Sequence, residues 1–294
     1  MGRVLINKIL FSGCSFTWGQ GLWYYFDTNE YIPNTYEYLH NVKEIPKSAL
    51  DFKNKNNYAG LVSKHFNSEY EMKSWNGGTD DESIRFIENK VFNENTKFDW
   101  LVFQTTQIYR SPFYFEHKGN FYNVKSEPGQ HNLAEVIHLV DGGHDGRHVS
   151  TRDFDIFFDW LIDNNYSIED WSHLFEKRIV ERIETILKKC NEVGIKTAIL
   201  SWTDEYLSLI GRNEYLKNQL ITIEHKNRKF ECISQLMDYE QDLIIAHDTK
   251  NKKHTSGDGS VDKDDWHPSL RCHQIISKSV IKHIENEKNI SNRL

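Results

Sequence analysis

The sequence predicts a doubly wound α/β fold: a parallel five-stranded sheet with helices on both faces and two insertions on its loop side. Apolar runs of strand length alternate with stretches of helical period, which is the pattern of a sheet buried on both faces. Two other stretches, about 20–57 and 110–172, are rich in aromatic and polar residues but sustain neither period. They read as insertions into a single domain spanning 1–294.

Residues 8–12 (KILFS) form the first strand, which opens at Gly13. Leu61, Val62, His65 and Phe66 set a helical spacing over 58–68. Residues 69–75 alternate as a second strand and break at Asn76-Gly77-Gly78. Ile84, Phe86, Ile87 and Val91 resume the helical period, and 98–105 (FDWLVFQT) is the third strand. A long amphipathic helix over 173–193 carries Leu174, Ile179, Ile183, Ile186 and Leu187 on its apolar side and stops at Gly194. Residues 195–200 are the fourth strand and 242–247 (DLIIAH) the fifth. A closing helix over 270–286 presents Ile275, Ile276, Val280, Ile281 and Ile284. No internal repeat or low-complexity tract is evident.

Composition narrows the function. The 294 residues carry 36 Lys or Arg against 43 Asp or Glu, a net charge of −7 with no dense basic block. This argues against nucleic acid as a partner, because phosphate binding needs a concentrated basic face. A 38% hydrophobic share rules out disorder. The 17 Phe, 14 Tyr and 8 Trp exceed what a core of this size needs, so some rings are expected to face a ligand. Cys14, Cys190, Cys232 and Cys272 form no CxxC pair, which gives neither a zinc ribbon nor a disulfide framework. No secretory signal is visible at the N-terminus, and no apolar run is long enough for a membrane span, so a cytoplasmic protein without a membrane partner is expected. Oligomeric state stays open. A nucleotide-binding reading lacks any Gly-rich phosphate loop.

Two short constellations carry chemistry. Phe11-Ser12-Gly13-Cys14-Ser15-Phe16-Thr17-Trp18-Gly19 follows the first strand, where a serine in a glycine-flanked turn can expose its hydroxyl and backbone N–H at the sheet edge. By itself this is also an ordinary turn. Asp264-Asp265-Trp266-His267-Pro268-Ser269 precedes the last helix. An Asp three residues before a His can orient the imidazole so that its other nitrogen takes a serine proton. By itself this is also a solvated acidic turn before a helix cap. Taken together, they place a nucleophile and a base with its orienter at the same edge of a doubly wound sheet.

These motifs resemble those of the SGNH (GDSL-like) hydrolases, a three-layer α/β/α, flavodoxin-like family of esterases, lipases and carbohydrate deacetylases. Gly13 to Gly19 resembles the first block of that family, with Cys14 where an Asp is most familiar, and Asp264 to Ser269 resembles its last block, DxxHPS. The continuation Leu270-Arg271-Cys272-His273 is similar to HPS-x-x-G-H, with Cys272 in place of the glycine. Asn76-Gly77-Gly78-Thr79-Asp80 resembles the second block, with Gly78 preferred over Gly77 as the glycine. The third block departs: where the family has Gly-x-Asn-Asp, this chain reads Gln104-Thr105-Thr106-Gln107.

The resemblance implies acyl transfer without metal or organic cofactor. Ser15 would be the nucleophile, His267 the base and Asp264 its orienter, with Asp265 the competitor. The N–H groups of Ser15 and Gly78, with Gln107 or Thr106, would form the oxyanion hole. The implied substrate is a small-molecule or glycan ester, with an acetyl or short acyl group on a carbohydrate foremost. The altered third block keeps open an alternative, a catalytically weakened module that binds glycans or serves in assembly. Trp18, beside the serine, and Arg110, after the third strand, are the expected substrate-binding residues, although a surface ion pair is an ordinary role for Arg110. Trp23, Tyr24, Tyr25, Phe26, Tyr31, Tyr36 and Tyr38 form either a sugar-stacking wall or a local core. His131, His138, His144 and His148 sit in glycine-rich surroundings that read as a polar loop rather than a metal site.

Overall fold

The computed structural model describes residues 5–26, 44–74, 78–126, 133–140, 147–151, 154–245 and 266–291. The strands at the centre of the fold are β1 (Lys8–Ser12), β2 (Glu69–Lys73) and β3 (Trp100–Gln104). A second group, β4 (Phe113–His117), β5 (Asn120–Ser126), β6 (Leu133–Val140) and β7 (Arg147–Thr151), precedes β8 (Lys196–Leu200). The helices that frame them are α1 (Ser15–Trp18), α2 (Lys47–Asn56), α3 (Tyr58–Phe66), α4 (Asp80–Ile87), α5 (Asp155–Asp163), α6 (Ile168–Glu192) and α7 (Leu270–Ser291).

The central sheet is parallel, in the order β2-β1-β3-β8. Alternation at period two sends successive side chains to opposite faces. Leu10, Leu101, Phe103 and Ile199 pack with Ile84 and Ile87 of α4 and with Ile179, Ile183 and Ile186 of α6. Ile9, Phe11, Val102, Ala198 and Leu200 pack with Tyr58, Ala59 and Val62 of α3 and with Ile276, Val280 and Ile284 of α7. The result is three layers with helices on both sides.

Among the described residues the sheet has four strands, not the five the sequence predicts. Of residues 242–247, Gln241–Leu243 form a 3₁₀ turn, Ile244 and Ile245 follow it, and Ala246 and His247 lie outside the described residues. The outer edge of β8 is already taken: Ile221 N–H donates to the Ile199 carbonyl and Ile233 N–H to that of Ser201. Leu243, Ile244 and Ile245 are buried all the same. Their backbone bonds run instead to the segment around His267, with Ile245 N–H donating to the His267 carbonyl (2.9 Å) and Ser269 N–H to that of Leu243 (2.7 Å).

The stretch 110–172 holds a structure that its weak period conceals. β4 to β7 form a four-stranded antiparallel sheet, with a tight hairpin at Lys118-Gly119, both at positive φ. Phe113, Phe115, Tyr122 and Val124 pack with Phe157, Trp160, Trp171 and Phe175 against the α6 side of the core. Much of the aromatic excess is therefore core. The stretch 20–57 contributes a 3₁₀ turn (Leu22–Tyr25) and α2. Trp23, Tyr24, Ile45, Ala49 and Ile245 make a small separate core there, so Trp23 and Tyr24 belong to a local core and not to a ligand wall. Tyr31, Tyr36 and Tyr38 lie outside the described residues, as do His131 and His144. His138 lies on β6 and His148 on β7. Among the described residues no helix is long and apolar enough to cross a membrane.

Candidate active site

Because β2 and β3 flank β1 on opposite sides, the chain reverses direction across the sheet at the β1/β3 boundary. Ligands of doubly wound sheets bind at that switch, outside the carboxyl ends of the strands. Ser15 follows β1 there and Gln107 follows β3.

Cys14 is extended (φ −110°, ψ −157°) and Ser15 begins the single turn of α1, which Gly19 ends at φ +78°. The first N–H groups of any helix lack intrahelical acceptors, and the N–H of Ser15 bonds to nothing among the described residues. Gly13 is required by proximity: a Cβ there would lie 2.3 Å from Thr17 Oγ1 and 2.9 Å from Gln104 Cβ. A buried hydrogen-bond chain fixes the turn. Thr17 Oγ1 donates to Gln104 Oε1. Gln104 Nε2 donates to Cys14 Sγ (3.1 Å), and the Tyr58 hydroxyl donates to Thr17 Oγ1 (2.9 Å). Burial raises the Cys14 thiol pKa, which keeps it neutral.

Across from this turn, Ser15 Oγ lies 2.8 Å from His267 Nε2. That is hydrogen-bond length, on the nitrogen that faces a serine in such pairs. The two residues are 252 positions apart, brought together by the clamp of Leu243–Ile245 on 267–269. Asp264 and Asp265 lie outside the described residues. His273, on the first turn of α7, is fully buried and accepts from the Tyr58 N–H at Nδ1 (3.2 Å). Burial, with the charge of His267 second, pushes its pKa down to about 3, so it is a neutral pin between α3 and α7.

The second and third blocks are joined to each other. Gly78 is buried ahead of the capping box of α4, in which Thr79 Oγ1 accepts from Glu82 N–H and Glu82 accepts from Thr79 N–H. Asp80 follows, fully buried, and accepts from Thr106 N–H (2.8 Å) and from the Tyr206 hydroxyl. Burial raises its pKa to about 6 against the lowering effect of those hydrogen bonds and of Arg110. Thr106 is buried and its hydroxyl turns to the Gln107 carbonyl (3.4 Å). Gln107 Oε1 accepts from Arg110 Nε (2.9 Å), which leaves Nε2 as the donating end of its amide. Of the two third-block alternatives, Gln107 is the one with a donor available.

Trp18 is half-buried, edge-on to Trp23 (5.5 Å), with Lys53 Nζ 3.9 Å over its ring. The Arg110 guanidinium lies over the Trp202 ring (4.6 Å), Trp202 packs tilted against Phe16 (4.5 Å), and Phe16 meets His267 edge-on (5.3 Å). Trp202, Phe16 and Asp80 are site residues that the sequence reading missed. Phe16 and Asp80 stand inside the first and second motif blocks without a role of their own, and Trp202 follows the carboxyl end of β8. Among the described residues, no group of three or more His, Cys, Asp or Glu is placed to hold a metal.

No family model and no curated protein matches the chain. Among solved structures it is similar to a protein described as lipolytic and of the G-D-S-L family from Desulfitobacterium hafniense DCB-2, at 9% identity and TM-score 0.38, covering 94% of this chain and 99% of that one. It is also similar to the psychrotrophic esterase EstA from Pseudoalteromonas sp. (9% identity, TM-score 0.44, 96% and 99% covered). A third is the acetyl xylan esterase Est2A from Butyrivibrio proteoclasticus (15% identity, TM-score 0.42), which covers 97% of this chain and 65% of that one. At such identities the chemistry of the site is read from this chain's own side chains.

Proposed function

We propose that the protein is a serine ester hydrolase. The observation that supports this most is the 2.8 Å contact between Ser15 Oγ and His267 Nε2 at the switch point of the sheet. Ser15 attacks the ester carbonyl as His267 takes its proton, and the tetrahedral oxyanion is met by the N–H groups of Ser15 and Gly78 and by Gln107 Nε2. Collapse expels the alcohol, to which His267 returns the proton. Water then attacks the acyl-enzyme with His267 again as base, releasing the acid and free Ser15. Asp264 is the proposed orienter of His267, with Asp265 its competitor. These steps use only this chain's groups and water.

For the substrate we propose a short acyl group on a carbohydrate, the class named for the Butyrivibrio esterase, with Trp18 as the contact one turn from Ser15. Ser15→Ala tests the reading. Hydrolysis of a neutral aryl acetate is expected to fall about a thousandfold or more, and unchanged turnover removes Ser15 from the mechanism. The alternative, a weakened glycan-binding module, is favoured only by Gln107 standing where the family has Asn. It predicts carbohydrate binding without Ser15-dependent turnover.

A further inference from the structure

Arg110 is held unlike an ordinary surface cation. It ends the 3₁₀ turn Ile108–Arg110 that follows β3, on the same edge of the sheet as Ser15. Its Nε is fixed on Gln107 Oε1 at 2.9 Å, and its guanidinium lies 4.6 Å over the Trp202 ring. A cation–π contact with the ring leaves the N–H groups of a guanidinium to be satisfied elsewhere. Nη1 is buried and, among the described residues, has no hydrogen-bond partner, and no described carboxylate forms an ion pair with Arg110. The buried Asp80, whose two oxygens accept from Thr106 and Tyr206, acts on it through space. The Trp202–Phe16–His267 column runs from this guanidinium to the Ser15 partner.

A buried donor left without an acceptor is penalised, and a pre-positioned guanidinium fork matches the two oxygens of a carboxylate. We propose that Arg110 is a specificity residue that anchors a carboxylate carried by the substrate ester. The inference rests on the hydrolase reading for the position of the scissile bond, but the anion site itself does not depend on turnover. The carboxylate sits on either the acyl or the alcohol portion, and the two are separable by experiment. Gln107 links this anchor to the oxyanion: the Arg110 contact that fixes its Oε1 also decides which end of the amide donates.

The test compares kcat/KM for four aryl esters: 4-nitrophenyl acetate and methyl 4-acetoxybenzoate, which are neutral; the 4-nitrophenyl hemiester of succinate, charged on the acyl side; and 4-acetoxybenzoate, charged on the leaving group. The wild type is expected to prefer one charged ester over its neutral counterpart, 4-nitrophenyl acetate or methyl 4-acetoxybenzoate, by about tenfold or more, and the preferred ester identifies the side that carries the anion. In Arg110→Gln that ratio is expected to collapse about tenfold, mainly through KM, with Arg110→Lys intermediate because it keeps the charge and loses the fork. A charged-to-neutral ratio that is the same in wild type and Arg110→Gln overturns the proposal.

Calorimetric binding to Ser15→Ala separates the two readings. 4-Acetamidobenzoate is expected to bind about tenfold more tightly than 4-acetamidobenzamide, and this advantage to vanish when Arg110→Gln is added. Equal binding of the two amides overturns the anchor. A binding advantage together with no Ser15-dependent turnover upholds the anchor and overturns the hydrolase reading. A far-UV circular dichroism spectrum and a melting temperature close to those of the wild type confirm that each Arg110 variant is folded.

Discussion

The turn after β1 and the loop after β3 face one crevice but hold their polar groups differently. The first is a closed platform. Thr17, Tyr58, Gln104 and Cys14 bond one another, His273 pins Tyr58 to α7, and Gly13 leaves no space for a side chain. The second hangs from two carboxylates, Asp80 through the Thr106 N–H and Glu205 through the Ile108 N–H, and presents an amide and a guanidinium with donors to spare. Each has a buried charge beneath it. Lys53 lies under Trp18 with a ring as its neighbour, whereas Asp80 has two hydrogen-bond donors. A platform built that tightly suits one reaction, while a loop with unspent donors suits a choice among substrates.

The contrast can be broken at either side. Ser15→Ala on the platform is expected to lower kcat/KM about a thousandfold or more. Gln107→Ala on the loop is expected to lower it by about a hundred- to a thousandfold through loss of one oxyanion donor, with Ser15 labelling retained. A fall of less than threefold for Gln107→Ala takes the third block out of the oxyanion hole.

The buried charges sharpen it through stability. Burial lowers the Lys53 pKa to about 7, below its unfolded value, so folding expels its proton and the wild type gains stability as pH rises from about 7 towards 10. Lys53→Met is therefore expected to raise Tm by several degrees at pH 6, an advantage that shrinks by pH 10. Asp80, at about 6, lies above its unfolded value, so the folded chain keeps the proton longer and loses stability as pH rises from about 4 to about 6. Asp80→Asn is expected to raise Tm by a few degrees at pH 7 and by nothing near pH 4. If the two melting profiles showed no such opposite pH trends, the charges beneath the loops would not be buried as described.

The platform was legible in the sequence because its residues stand at fixed offsets from strand ends: Ser15 three residues past β1, and His267 three before α7. The loop was half legible, since Gln107 and Arg110 follow β3 in sequence whereas Trp202 and Asp80 reach them only through the fold. Residues 242–247 misled because Leu243, Ile244 and Ile245 are as buried as strand residues while their backbone serves the His267 segment. The antiparallel sheet stayed hidden because its hairpin turns on Lys118-Gly119, without the Asn-Gly or Asp-Gly that announces such turns. Its inward Phe113, Phe115 and Tyr122 are part of an aromatic excess that composition alone does not divide between core and ligand.

The central claim is that His267 activates Ser15. Mass spectrometry of the chain after treatment with a fluorophosphonate tests it most directly. The account predicts one adduct, on the peptide containing Ser15, in the wild type and at least a hundredfold slower labelling in His267→Ala. No adduct on Ser15, or equal labelling rates in the two proteins, would contradict it.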